Sequence, residues 1–157
     1  MTADVGACAW LRDTWRAMSR ENVELVEGLF AGAAGGDKQA LLAALPEIIA
    51  QACDPEIEWV EDPQRADGRI HRGHEGVRAS FEEWLAGFEE YEFELEEVID
   101  CGDDVLAVGT EHGRGAASGA AVSSRNHAVL TFRDGKLLRY REFYDERAAR
   151  QAVGLSD

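Results

Sequence analysis

The segment from Arg125 to Asp145, R-N-H-A-V-L-T-F-R-D-G-K-L-L-R-Y-R-E-F-Y-D, constrains this chain more than any other. Two alternating runs flank Asp134-Gly135, and Asp-Gly between such runs is a strong β-hairpin signal. A two-residue turn would set Phe132 opposite Leu137 and Leu130 opposite Arg139, mixing apolar and charged side chains on one face. A three-residue loop with Gly135 left-handed would set Leu130 opposite Leu138, Ala128 opposite Tyr140 and Asn126 opposite Glu142. This second register segregates better, and a slip of one residue moves a whole side-chain set to the other face. It predicts an apolar face of Ala128, Leu130, Phe132, Leu138, Tyr140 and Tyr144, with one carboxylate, Glu142, between the two tyrosines. The opposite face carries His127, Thr131, Arg133, Arg139 and Arg141.

Upstream of the hairpin the pattern is mostly helical. Residues 1–17 read as an N-terminal extension, with Trp10, Leu11 and Trp15 on one side of a short helix, and residues 18–157 as a single domain. Ser19 is a good N-cap for a helix whose stripe holds Val23, Val26 and Phe30. Gly35-Gly36 would stop it and Asp37 would cap the next, which carries Leu41, Leu42 and Leu45. Pro46 either kinks that helix or opens a further one containing Ile48 and Ile49. Ile57–Asp62 alternates as a strand closed by Pro63, and pattern alone does not say which side is buried. A polar loop, Gln64–Gly73, follows, then a helix over His74–Glu90 striped by Val77, Phe81, Trp84, Leu85 and Phe88. Tyr91, Phe93 and Leu95 alternate with glutamates, and the alternation breaks at Glu96-Glu97, as at a bulge. A strand over Val105–Arg114 leads to the hairpin, and Asp145 caps a last helix over Glu146–Val153. Helices, strand, helix and then a meander of strands define an α+β fold.

With 157 residues the chain is long enough for one proper core. Its formal charge of −15 argues against nucleic acid or an anionic membrane as partner, since both call for a basic surface. Cys8, Cys53 and Cys101 are far apart with no C-x-x-C, so reduced thiols in a cytoplasmic protein are expected rather than disulfides or a zinc site. No apolar run reaches the ~18 residues of a spanning helix, and no basic-then-apolar start suggests a signal peptide. No phosphate loop, dinucleotide fingerprint or metal-ligand spacing appears, so no cofactor is expected. His71 and His74 read as loop and capping groups, and His127 as a convex-face or dimer contact.

Several strings in this order resemble the ketosteroid isomerase-like, or nuclear transport factor 2-like, superfamily, and within it the SnoaL-like branch. They are M-S-R-E-N-V-E at 18–24, D-P-E-I-E-W at 54–59, R-G-H-E-G-V-R at 72–78, I-D-C-G-D at 99–103, T-F-R-D-G-K at 131–136 and Y-D-E-R at 144–147. The resemblance implies a cone: a curved, antiparallel or mixed sheet wrapped on N-terminal helices around an apolar pocket (a cystatin-like roll). It also implies that Val60 and Asp62 point inward, and that the convex sheet face forms a homodimer. In such isomerases the strand ending V-E-D-P supplies the general base, which falls on Asp62. In SnoaL-like cyclases the acid/base lies six residues after the lysine of D-G-K, which falls on Glu142. Two family positions depart: the oxyanion-donating tyrosine falls on Leu29, and its polar partner on Ala128.

A carboxylate in an apolar pocket has its charged form disfavoured, which tunes it toward general acid/base work. Asp62 and Glu142 are therefore the candidate catalytic pair, with Val60, Trp84, Asn126, Leu130, Tyr140 and Tyr144 as candidate ligand contacts. The implied chemistry is cofactor-free isomerisation, cyclisation or dehydration of a hydrophobic, polyketide- or steroid-like small molecule. The same fold also hosts non-catalytic binders and interaction modules. Structural readings stand beside the catalytic ones. Asp before Pro is a common turn former, and Glu142 would be neutralised by Arg125 or Arg141, or hydrogen-bonded to Asn126 and a tyrosine.

Overall fold

The computed structural model describes residues 5–31, 35 and 37–155, with side chains from Met18 onward. Three helices precede or interrupt the sheet: α1 (Val5–Ala31), α2 (Lys38–Ala52) and α3 (Gly73–Ala86). The strands are β1 (Cys53–Val60), β2 (Ile70–Arg72), β3 (Phe88–Cys101), β4 (Asp104–Gly115), β5 (Ala121–Arg133) and β6 (Lys136–Phe143), and α4 (Glu146–Ala152) follows. They form one six-stranded sheet in the order β2-β1-β6-β5-β4-β3. Only β1 and β6 run parallel; every other neighbouring pair is antiparallel. This is the expected α+β cone.

Period-2 alternation divides the sheet into two faces. Val105, Ala107, Ala128 and Leu130 join Val26, Ile49, Ile57 and Val77 in the main core beneath α1–α3. Their sequence neighbours Leu106, Val108 and Val129 pack on the convex side against Ala149 of α4. Part of the convex face is thus covered from within the chain. His127 lies there, buried, its Nδ1 3.3 Å from the Phe143 carbonyl, so it is neither a surface group nor a dimer contact by exposure. His112 faces outward on the same side, 3.7 Å from Glu94.

The hairpin corrects the expected register. Arg133 pairs with Lys136 around a two-residue turn, and Asp134 (φ 52°) and Gly135 (φ 74°) are both left-handed. That geometry matches the right-handed twist of the flanking strands. A bulge then leaves Leu138 unpaired between Phe132–Leu137 and Thr131–Arg139. Past the bulge Leu130 faces Tyr140 and Ala128 faces Glu142. The bulge does the segregation that a three-residue loop had been expected to do, and Leu137 takes the core place expected of Leu138.

Other boundaries shift for identifiable reasons. α1 runs unbroken through Ser19, which is buried within the helix rather than standing at its N-cap. α2 passes through Pro46 because Leu45 and Ile49 on either side of it are both buried, and that packing offsets a lost hydrogen bond. α3 ends at Ala86, so Phe88 opens β3 rather than closing the helix. The expected polar loop contains β2, paired to β1. Asp37 and Asp145 cap α2 and α4 as expected, accepting from Ala40 N and Arg147 N. The bulge expected at Glu96-Glu97 is present between Leu95 and Glu97.

Gly109 lies where an aromatic ring of β3 crosses β4. A Cβ there would come within 2.4 Å of the Phe93 ring and 2.6 Å of the Glu94 carbonyl oxygen. Gly109→Ala is expected to destabilise the fold by about 1–3 kcal/mol, the usual range for overpacking, and urea unfolding would measure it.

Candidate active site

The helices and the concave sheet face enclose a cavity of about 470 Å³, large enough for a drug-sized molecule. Its base comes from the strands, and alternation decides which side chains enter. From β1 these are Ile57 and Trp59, with Glu61 just beyond the strand; from β4 Glu111; from β5 Asn126 and Leu130; and from β6 Tyr140 and Glu142, with Tyr144 just beyond. Trp84 and Phe81 of α3 also line it. Of the expected ligand contacts, Trp84, Asn126, Leu130, Tyr140 and Tyr144 line the cavity and Val60 does not. The parity of β1 is opposite to that implied. Ile57 is fully buried, and Trp59 stacks on Tyr140 (ring centroids 3.8 Å apart) with Phe81 at its edge. These large apolar groups outweigh Val60 in setting the inward side.

Glu142 is the cavity's central titratable group. One carboxylate oxygen accepts a hydrogen bond from Trp59 Nε1 at 2.9 Å. Burial pushes its pKa up to about 7; the negative charges of Glu111 and Glu61 push the same way, and the Trp59 bond and Arg65 pull partly back. Its expected neutralisation by Arg141 does not occur, because Arg141 reaches the convex side, 3.7 Å from Asp104. Arg125 likewise pairs with Glu96 (3.3 Å) and Glu146 (3.5 Å).

Asp62 does not join Glu142 in the cavity lining. It is only 2% exposed, and its carboxylate accepts from the backbone N–H of Gln64 (2.7 Å) and of Tyr144 (2.6 Å). It clasps the loop after β1 to the end of β6, as a turn-forming Asp-Pro would. Asp62→Ala would leave two amides unpaired, and a loss of about 2–3 kcal/mol in unfolding free energy is expected by urea titration.

Two other acids fill the place beside Glu142. Burial raises the pKa of Glu111, with Tyr91 and Trp84 pulling back; Glu111 accepts from Tyr91 Oη at 3.1 Å and from Asn126 Nδ2. Burial also opposes ionisation of Glu61, but hydrogen bonds from His71 (2.9 Å) and Arg69 N (3.0 Å) outweigh it and hold its pKa low. His71 is therefore a partner of a cavity carboxylate rather than only a loop group. Glu111 was legible in principle: it continues the inward series Val105, Ala107, Gly109. His74 does not cap α3, beside which it was expected to act; its Nε2 lies 3.0 Å from the Cys53 carbonyl oxygen at the end of α2.

Against known families, the profile of the SnoaL-like domain matches residues 26–140, most of the chain. The chain belongs to the SnoaL-like family. Solved structures agree on the fold. TerC, co-crystallised with polyporic acid, is 22% identical, with a TM-score of 0.62 over 85% of this chain and 98% of that one. A SnoaL-like protein from Jannaschia sp. CCS1, described as a putative polyketide cyclase, is also 22% identical, with a TM-score of 0.63 over 88% and 94% of the two chains. A nuclear transport factor 2-like protein from Burkholderia thailandensis E264 is 25% identical, with a TM-score of 0.63 over 83% and 95%. Among curated proteins none matches the sequence significantly.

Two apolar residues stand where the resemblance implied polar groups. Leu29 lines the wall, and Ala128 is buried directly opposite Glu142. Among the described residues no helix is long and apolar enough to cross a membrane.

Proposed function

We propose that this protein binds a hydrophobic small molecule in the cavity and moves a proton on it with Glu142. The reaction class is isomerisation, cyclisation or dehydration next to a carbonyl. The observation that carries this reading is Glu142 itself: a carboxylate pushed up to about 7, held by Trp59 inside a cavity walled by aromatic rings. A base with a pKa near the working pH is ionised often enough to accept a proton and acidic enough to return it. The walls fit a flat ligand, since Trp59, Tyr140, Phe81 and Trp84 all line the space. A fold relative co-crystallised with polyporic acid, and another described as a putative polyketide cyclase, support the same ligand class.

In the proposed step the Glu142 carboxylate takes a proton from the carbon beside the carbonyl. The C–H electron pair becomes a new C–C π bond, and the carbonyl π pair moves onto oxygen. Protonated Glu142 then returns the proton, at the same carbon or at another of the conjugated system. Deuterium exchange into 2-tetralone in D₂O, followed by NMR, tests this with a simple enolisable ketone. Protein-dependent exchange supports the reading. A ketone that raises the melting temperature but stays unexchanged would instead indicate a binding protein.

A further inference from the structure

Proton transfer of this kind places negative charge on the ligand's carbonyl oxygen, and neither Leu29 on the cavity wall nor Ala128 opposite Glu142 has a side chain that can donate a hydrogen bond to it. We infer that Arg65, carried on the loop clasped by Asp62, supplies the oxyanion site of this cavity. The inference rests on the proton-transfer reading above and adds the group that receives the charge.

The loop is built to hold one shape. Asp62 anchors it through Gln64 N and ties it to Tyr144 N. Arg65 N donates to the Asp62 carbonyl at 3.0 Å, and Gly68 N to the Arg65 carbonyl at 3.2 Å. The turn is tight enough that a Cβ on Gly68 would meet the Asp62 carbonyl oxygen at 2.8 Å. From this turn the Arg65 side chain lies along the cavity wall, its guanidinium 5.9 Å from the centre of the Trp84 ring. Its Nε is 3.7 Å from Asp67, whose side chain is 76% exposed. A solvent-screened pair of that kind is weak, and a hydrogen bond to the neutral Tyr144 hydroxyl uses only part of the guanidinium's five N–H donors, so the rest stay open to a ligand.

Arg69 also lines the cavity, but its guanidinium reaches outward to Glu83 at 3.4 Å, with both side chains more than half exposed. Arg65 is the one of the two whose charge is felt by Glu142 and Glu61. A planar guanidinium suits this task because it stays charged and directs several N–H donors from one plane. In a cavity holding Glu61, Glu111 and Glu142, an enolate oxygen needs a positive partner to offset the acids, and Arg65, whose charge reaches all three, is that partner.

Two probes separate this inference from the proton-transfer reading. The first is 4-nitro-1-naphthol, a flat phenol whose naphtholate has a distinct absorbance and mimics an enolate oxygen. Bound to the wild-type protein it should ionise at lower pH than in water, by about one pKa unit for a favourable charge contact. Arg65→Gln should abolish that shift and Arg65→Lys retain part of it, while Arg69→Gln leaves it in place. The second is 2-tetralone exchange, which Arg65→Gln should slow by about 10²–10³-fold, as for loss of one oxyanion donor.

A naphthol whose ionisation is unshifted by wild-type protein, or shifted equally in Arg65→Gln, overturns the inference even where exchange is intact. Exchange absent from wild type, with the naphthol shift still following Arg65, sinks the proton-transfer reading and leaves the anion site standing. Circular dichroism on each variant, together with the Lys replacement, separates loss of charge from loss of fold.

Discussion

Replacing Glu142 by Gln is expected to lower 2-tetralone exchange by about 10²–10⁴-fold, the usual contribution of one positioned general base. Gln is nearly isosteric and keeps an oxygen that can accept the Trp59 N–H, so the aromatic stack of Trp59 on Tyr140 should survive. What is lost is the ability to hold a proton. The pH dependence gives a second, independent reading. In the proposed step Glu142 acts as base in its ionised form, and burial places its pKa near 7. The wild-type rate should therefore rise with pH and level off above about 7, rather than above the usual carboxylate value of 4.5. The residual rate of Glu142→Gln should show no such step. A rate unchanged by the substitution, or a step that persists in the variant, would move the chemistry elsewhere, with Glu111 the next carboxylate to replace.

The hairpin shows what the sequence made legible. Alternation around Asp134-Gly135 singled out Glu142 as a lone acid among Leu130, Tyr140 and Tyr144, and all four line the cavity. The turn itself is not legible, because a bulge at Leu138 lets a two-residue turn coexist with segregated faces, and a bulge inside a continuous apolar pair such as Leu137-Leu138 leaves no mark in composition. The inward placement of Asp62 that the resemblance implied fails for a different reason. Period-2 alternation in β1 gave two equivalent assignments, and only the tertiary contact of Trp59 with Tyr140 and Phe81 selects one. Glu111 was missed although its strand alternates cleanly. Its small inward neighbours Ala107 and Gly109 carry no strong apolar signal, and their meaning appears only when Phe93 is seen to cover Gly109. Arg65 lies in a loop, where no periodicity applies at all.

The same Glu142→Gln substitution is expected to stabilise the folded protein at neutral and alkaline pH, opposite to the usual effect of altering a buried polar group. Glu142 titrates near 7 in the folded state and near 4.5 when solvated. Between these values the folded state binds more protons than the unfolded one, so stability falls as pH rises through that window. Below it both states are protonated and the cost vanishes. Above it the full cost applies, about 3 kcal/mol from the size of the shift, as an upper bound for a side chain that keeps some contact with solvent. Gln carries no charge at either end. Urea unfolding of both proteins from about pH 4 to pH 8 should thus give curves that nearly coincide at the acid end and separate steadily toward neutrality, with the variant above. Glu61 and Glu111 titrate in both proteins, so the difference between the curves isolates Glu142 apart from its repulsion with them. Curves separated equally at all pH values would mean that Glu142 ionises as an ordinary surface carboxylate and is poorly suited to act as a base near neutrality. A separation that grows through the predicted window would mean that the fold retains a destabilising charge in its cavity. Packing gives no reason to keep it, because the isosteric amide makes the same contacts; the proposed proton transfer does.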